Sequence, residues 1–140
     1  AGRRLNDSMG VRIAAETIKL MIKKGQKIED SKILVLGVTF KENCPDIRNS
    51  RIIDVIEEFW SYNCMVDVYD PWADINDVKK KWCIELIRKK EDLETYDAIV
   101  VAVPHKEFDS WEYTKYYKND TTVIYDIKGI LPKNLVDARL

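Results

Sequence analysis

Glycine, cysteine and histidine are all scarce in this chain, and each shortage removes a class of chemistry. Its 140 residues hold 5 glycines, and none of them builds a Gly-x-Gly-x-x-Gly run, so the chain has no dinucleotide-binding fingerprint. The 3 cysteines, Cys44, Cys64 and Cys83, are odd in number and too widely spaced for a zinc or redox motif, and they read as reduced thiols of a cytoplasmic protein. Cys44 is the tempting nucleophile, but such a thiol needs a lowered pKa and usually a base, and the single histidine, His105, is far away in the sequence. No catalytic residue and no metal site are therefore expected. Excess charge is missing as well: 23 basic and 24 acidic residues leave a net charge of -1, which gives no electrostatic reason for nucleic-acid or membrane-surface binding. No apolar run approaches the roughly 20 residues of a membrane span, and the charged start Gly2-Arg3-Arg4 is no signal peptide. A chain opening in this way, just ahead of a helical pattern, is expected to be an excised fragment.

What the sequence does have is alternation of apolar β-type runs with helical patterns. Ser8 to Lys24 reads as a helix with Val11, Ala14, Ala15, Ile18, Met21 and Ile22 on one stripe. Ile13 and Leu20 fall off it and are expected on a second face, touching either a missing domain or partner, or only an edge of the same fold. Ile33–Val38 is a first strand, and a polar loop leads from it into an amphipathic helix starting near Asn49 or Ser50. Cys64–Tyr69 is a second strand, stopped by Asp70-Pro71. Ile75–Trp82 is a short helix or loop, Cys83–Ile87 a candidate short strand, and Lys89–Thr95 a connector or single turn. The uninterrupted run Asp97–Val103 suits a parallel strand covered on both faces. An aromatic helix over Phe108–Tyr117 and a last strand over Thr121–Ile127 complete the chain. This order predicts an α/β, Rossmann-like three-layer domain with a mostly parallel sheet and right-handed crossovers.

The first strand, its polar loop and the following helix N-terminus form the usual phosphate-holding unit of such a fold. With a single glycine, Gly37, this loop offers Lys41 and Arg48 instead, which suits an anion held by side chains as well as by backbone N–H groups. Two plainer readings stay open: Lys41 is solvated, and Arg48 pairs with Asp46. Asp70 is expected to hydrogen-bond local backbone as a turn device. His105, after Pro104 at a strand end, is either a ligand contact or an ordinary loop histidine. Lys128 directly follows the last strand, where Gly129 lets backbone come close to a ligand. Trp111, Tyr113, Tyr116 and Tyr117 are expected to pack a helix on the sheet rather than stack a base.

In order, Gly37-x-x-Phe40-Lys41, Asp46-x-Arg48-x-Ser50, Tyr69-Asp70-Pro71 and Asp126-x-Lys128-Gly129 closely resemble the C-terminal domain of the UDP-glucose/GDP-mannose dehydrogenase family. The wording TFKENCPDIRNS and VPHKEF is most similar to its branch acting on UDP-N-acetylhexosamines. The resemblance implies an oxidoreductase that converts the C6 alcohol of a nucleotide sugar to a carboxylate for bacterial or archaeal polysaccharide synthesis. NAD would be bound by a missing N-terminal domain, and no cofactor by this fragment. Residues 1–27, with Asn6-Asp7, would be the end of the central interdomain and dimerisation helix, and residues 28–140 the UDP-sugar-binding domain. Phe40, Lys41 and Lys128 would meet the substrate, while Asp46 and Arg48 support the loop. Lys128 stands where relatives often carry arginine, which keeps the charge but removes the bidentate fork. The family's Gly-Gly-x-Cys nucleophile segment is missing, so its role does not pass to Cys44. The expected partners are the UDP-sugar, the missing NAD-binding domain and further copies in a homo-oligomer. An assembly domain with little nucleotide binding of its own is the alternative. A flavodoxin-like or receiver-type module is disfavoured, because the loop has neither an acidic cluster nor a flavin-type Ser/Thr run.

Overall fold

In the computed structural model, which describes residues 2–140 and side chains from Ser8 onward, five parallel strands form one sheet. The side chains of Asn6 and Asp7 lie outside this description. The strands are β1 (Lys32–Leu36), β2 (Met65–Tyr69), β3 (Ala98–Val101), β4 (Val123–Asp126) and β5 (Ala138–Arg139), and the helices are α1 (Gly2–Lys23), α2 (Ile52–Ser61) and α3 (Ile75–Trp82). Their spatial order is β2-β1-β3-β4-β5. Chain connections therefore leave β1 toward β2 on one side and return to β3 on the other, which opens a crevice at the carboxyl ends of β1 and β3.

Alternation along the central strands divides the core in two. Ile33, Val35, Ala98, Val100, Val123 and Tyr125 face the helical layer and pack with Ile13, Ala14, Ile18 and Met21 of α1 and Val55, Ile56 and Phe59 of α2. Leu34, Leu36, Ile99, Val101 and Ile124 face the other way, onto Tyr69, Tyr96, Phe108, Trp111, Tyr113 and Tyr116. This second covering layer carries the aromatic segment as two 3-10 turns, Lys106–Ser110 and Tyr113–Tyr116, where a single helix was expected. Rings spaced at Phe108, Trp111, Tyr113 and Tyr116 all lie on the sheet only if the backbone departs from a 3.6-residue period. The Tyr113 hydroxyl, donating to the Phe108 carbonyl at 2.6 Å, holds that departure in place.

Two further expectations are corrected, and one strand was not foreseen. The buried stripe of α1 is Gly10, Ile13, Ala14, Thr17, Ile18 and Met21, so Ile13, expected on a second face, belongs to the core face, while Val11 and Ile22, expected on the stripe, are 48% and 58% exposed. Thr17 is buried because its hydroxyl donates to the Ile13 carbonyl at 2.8 Å, which makes a polar residue part of the apolar face. Gly10 lets α1 lie directly against α2: a Cβ there would stand 2.5 Å from Asp54 Cβ. The segment Cys83–Ile87 forms no strand and pairs only once, Ile87 bridging to Tyr69. The short β5, unforeseen, joins the sheet through Tyr125 and Asp126.

Candidate functional site

At the carboxyl ends of β1, β3 and β4 lies a cavity of about 300 Å³, lined by Phe40, Lys41, Asn49, Arg51, Val103 and Lys128 among others. Its apolar floor comes from Ile13 of α1 and Ile52 and Val55 of α2, and its rim includes the first residues of α2. The crevice predicted by the strand order is thus a real concavity, with the start of a helix and two lysines from different loops around it.

The β1–α2 loop is held from inside. Gly37, at φ +94°, brings β1 so close to the end of β3 that a Cβ would stand 2.6 Å from Val103 Cβ. Glycine is needed there for packing and for the left-handed backbone, and its closeness to Val103 leaves no room at that point for a pyrophosphate. The residues present do not fit a dinucleotide in this loop. Beyond it the Phe40 N–H donates to the Asp46 carbonyl at 2.8 Å, which closes the loop on itself. Asp46 accepts from the Arg48 N–H at 2.8 Å and from Arg48 Nε at 3.0 Å. These hydrogen bonds hold the Asp46 carboxyl below the usual carboxylate range, and Asp46 in turn raises the Arg48 guanidinium. Neither residue lines the cavity with the lysines; both open onto a separate surface hollow with Lys80 and Lys81.

Phe40, 56% exposed, and Lys41 project from the crest of this loop. Lys128 reaches the same cavity from the end of β4. Its turn is shaped by Asp126, fully buried, which accepts from the Gly129 N–H at 3.0 Å and the Leu131 N–H at 2.7 Å. Gly129, at φ +72°, supplies the backbone this turn requires.

Sequence reasoning took Asp70 and His105 one at a time and did not join them into the polar cluster that lies beneath the loop. Asp70, fully buried, accepts from the N–H groups of Trp72 at 2.7 Å, Ala73 at 2.9 Å and Val38 at 2.8 Å, and from His105 Nε2 at 3.0 Å. Burial pushes the Asp70 carboxyl up, but the hydrogen bonds from His105, Val38 and Ala73 outweigh it, and the net direction is down. Asp70 is the turn device expected of it, and it also joins the ends of three strands. Cys44 is a half-buried free thiol, and burial pushes the Cys64 thiol up to about 11, away from a nucleophile's range. Among the described residues no group of three or more His, Cys, Asp or Glu side chains is placed to hold a metal, and no helix is long and apolar enough to cross a membrane.

Comparison with known proteins bears on the family and the fold. The chain is 48% identical over its whole length to the UDP-N-acetyl-D-glucosamine 6-dehydrogenase of Salmonella typhi, of which it covers 33%. It is 45% identical over 94% of its length to Protein CapL of Staphylococcus aureus, covering 31% of that protein. The chain thus spans about a third of the length of the curated relatives it matches. Among solved structures, the NDP-N-acetyl-D-galactosaminuronic acid dehydrogenase of Methanosarcina mazei Go1 superposes with a TM-score of 0.83 at 24% identity, over 94% of this chain and 28% of that one. At that identity the likeness establishes the fold. Residues 34–133, from inside β1 to beyond the Lys128 turn, match the UDP binding domain of the UDP-glucose/GDP-mannose dehydrogenase family, and the chain belongs to that family.

Proposed function

We propose that this chain is the substrate-holding domain of an NAD-dependent UDP-sugar 6-dehydrogenase, with UDP-N-acetylhexosamine as substrate and polysaccharide synthesis as its setting. The observation that carries the reading is that Phe40 and Lys41 from one strand end and Lys128 from another line a single cavity at the start of α2. In this reading Lys41 and Lys128 neutralise the diphosphate, helped by the N–H groups at the head of α2, and the Phe40 ring covers the nucleotide. Asp46 and Arg48 set the loop from outside the cavity. NAD is held by a domain outside this chain, since the β1–α2 loop does not fit it, and oxidation takes place there. Residues 1–27 belong to the helix that connects the two domains, and residues 28–140 are the UDP-sugar-binding unit. Three free thiols fit a reducing, cytoplasmic setting.

Calorimetric titration with UDP tests this directly. The 140-residue chain is expected to bind UDP, and Lys41→Ala to weaken binding by roughly tenfold to a hundredfold, the worth of a charge-assisted hydrogen bond. Unchanged affinity in that variant overturns the role of Lys41, and no binding by the wild-type chain overturns the nucleotide site. A second reading, an assembly domain, is favoured by the apolar side chains of Val11 and Ile22 on the outer face of α1, 48% and 58% exposed. A monomer that binds UDP counts against it.

A further inference from the structure

One buried polar cluster has no part in holding the nucleotide as proposed above. His105 is fully buried at the end of β3, with Trp72 stacked at 6.2 Å between ring centres and Phe108 tilted at 5.6 Å. Both ring nitrogens are engaged. Nδ1 accepts from the Asn43 N–H at 2.9 Å, while Nε2 lies 3.0 Å from Asp70 Oδ2 and 3.3 Å from Thr39 Oγ1. The Thr39 hydroxyl donates to the Lys41 carbonyl at 2.8 Å, so its oxygen is left to accept. One protonation state satisfies every one of these contacts, a neutral ring with its proton on Nε2. A proton on Nδ1 would face the Asn43 N–H, donor against donor.

These partners bracket the residues proposed to grip the diphosphate. Thr39 and Asn43 stand on either side of Phe40 and Lys41. The Asn43 side chain adds a second tie, its Oδ1 accepting from the Lys106 N–H at 2.9 Å. Asn43 itself sits at φ +55°, a left-handed conformation that asparagine tolerates better than most side chains and that the two ties to His105 and Lys106 hold in place. Asp70 completes the brace, because the same Oδ2 that receives His105 also receives the Val38 N–H at the root of the loop.

We propose that His105 is a positioning residue, oriented by Asp70, which through the Asn43 amide fixes the loop that presents Phe40 and Lys41 to the nucleotide. The proposal rests on the nucleotide reading of the cavity for its consequence, and on the loop alone for its mechanism. Two isosteric halves of imidazole separate its contacts: Asn at 105 keeps an acceptor near the position of Nδ1, and Gln keeps a donor near the position of Nε2. A role in packing alone would instead make Phe the best replacement.

Because His105 is the single histidine, long-range ¹H–¹⁵N spectra of the chain report its ring without ambiguity. The neutral ring protonated on Nε2 is expected, with slow hydrogen exchange at the Asn43 amide. H105N should keep that protection, while H105Q and H105F lose it with the far-UV spectrum unchanged. UDP affinity should follow the amide, near wild type for H105N and about tenfold weaker for H105Q and H105F, as for one lost hydrogen bond to an ordered loop. A ring protonated on Nδ1, an unprotected Asn43 amide in the wild type, or full UDP affinity in H105F overturns the proposal. If the wild-type chain binds no UDP, the nucleotide reading falls, and slow or fast exchange at Asn43 still decides whether His105 sets the loop.

Discussion

The carboxylates that end two strands shape the loops around the cavity without facing it. Asp70 and Asp126 are both fully buried and both spend their oxygens on backbone N–H groups of the loops that follow. Each turns a strand end into a fixed corner, and the corner after β4 carries Lys128. For Asp70 the folded pKa lies below its ordinary value, so its stabilisation is present above the unfolded pKa of about 4 and is lost as pH falls through the folded one. Urea unfolding measured between neutral and acid pH should show stability dropping below about pH 4. In Asp70→Asn an amide N–H must face an N–H donor of the loop, with an expected loss of about 3 kcal/mol at neutral pH. The acid-dependent part should shrink in the same variant; an unchanged acid profile would assign the pH dependence to other carboxylates. Of the residues named from sequence, Lys41 and Lys128 were legible through ordered motifs, and the Asp46–Arg48 pair through its i, i+2 spacing. The role of His105 was not, because its partners Asp70, Thr39 and Asn43 lie on other elements and leave no local pattern.

At the scale of elements, legibility followed how continuous each pattern is. The central strands β1, β3 and β4 are unbroken apolar runs, and the segment left open as helix or loop is the helix α3, capped by Asp74, which accepts from the N–H groups of Asn76 and Asp77. The two-residue β5 carries no such pattern and exists through its pairing with β4. The face of α1 was read in part: Ala14, Ile18 and Met21 are buried as expected, but Ile13, expected off the stripe, is buried too, and the contact turns toward Gly10, which allows close approach, and Thr17, whose hydroxyl bonds its own backbone. Gly10→Ala separates two opposing effects. In an isolated helix the change favours the fold by up to about 1 kcal/mol. Against α2 the new methyl meets Asp54 Cβ at 2.5 Å and backbone atoms at 3.0 Å, and atoms of a helix backbone do not swing aside. The helices must part, at about 1–3 kcal/mol for such overpacking. A net loss of stability on thermal unfolding is expected, and a gain would mean that the two helices are not held at this distance.

For the whole molecule, the question is which part of the chain makes up the folding unit. The family match begins at residue 34, and residues 1–27 are proposed above to belong functionally to an interdomain helix. The packing includes that helix in the core all the same. Ile13, Ala14, Ile18 and Met21 are within a few per cent of complete burial against β4 and α2. The end of α1 is tied down twice more, by Lys24 to Asp137 at 2.7 Å and by the Gln26 amide to the carbonyls of Asp97 and Thr121 at 3.0 and 2.7 Å. Midway, Tyr125 donates to Glu16. Burial of Ile13, Ile18 and Met21 alone is worth roughly 5–9 kcal/mol, comparable with the entire stability of an ordinary domain. Without α1, the sheet face formed by Val100, Val123 and Tyr125 would lose its cover, and α2 would lose the helix it packs on. A chain reduced to residues 28–140 is therefore expected to lose cooperative unfolding and to bind a hydrophobic dye, whereas the chain from residue 1 unfolds in one transition. If the shorter chain melts cooperatively and near the same temperature, α1 is an accessory to the domain and the cavity floor supplied by Ile13 is dispensable. If it does not, α1 and the cavity are one structure, and a displacement of α1 passes to the cavity through Ile13, which lines it.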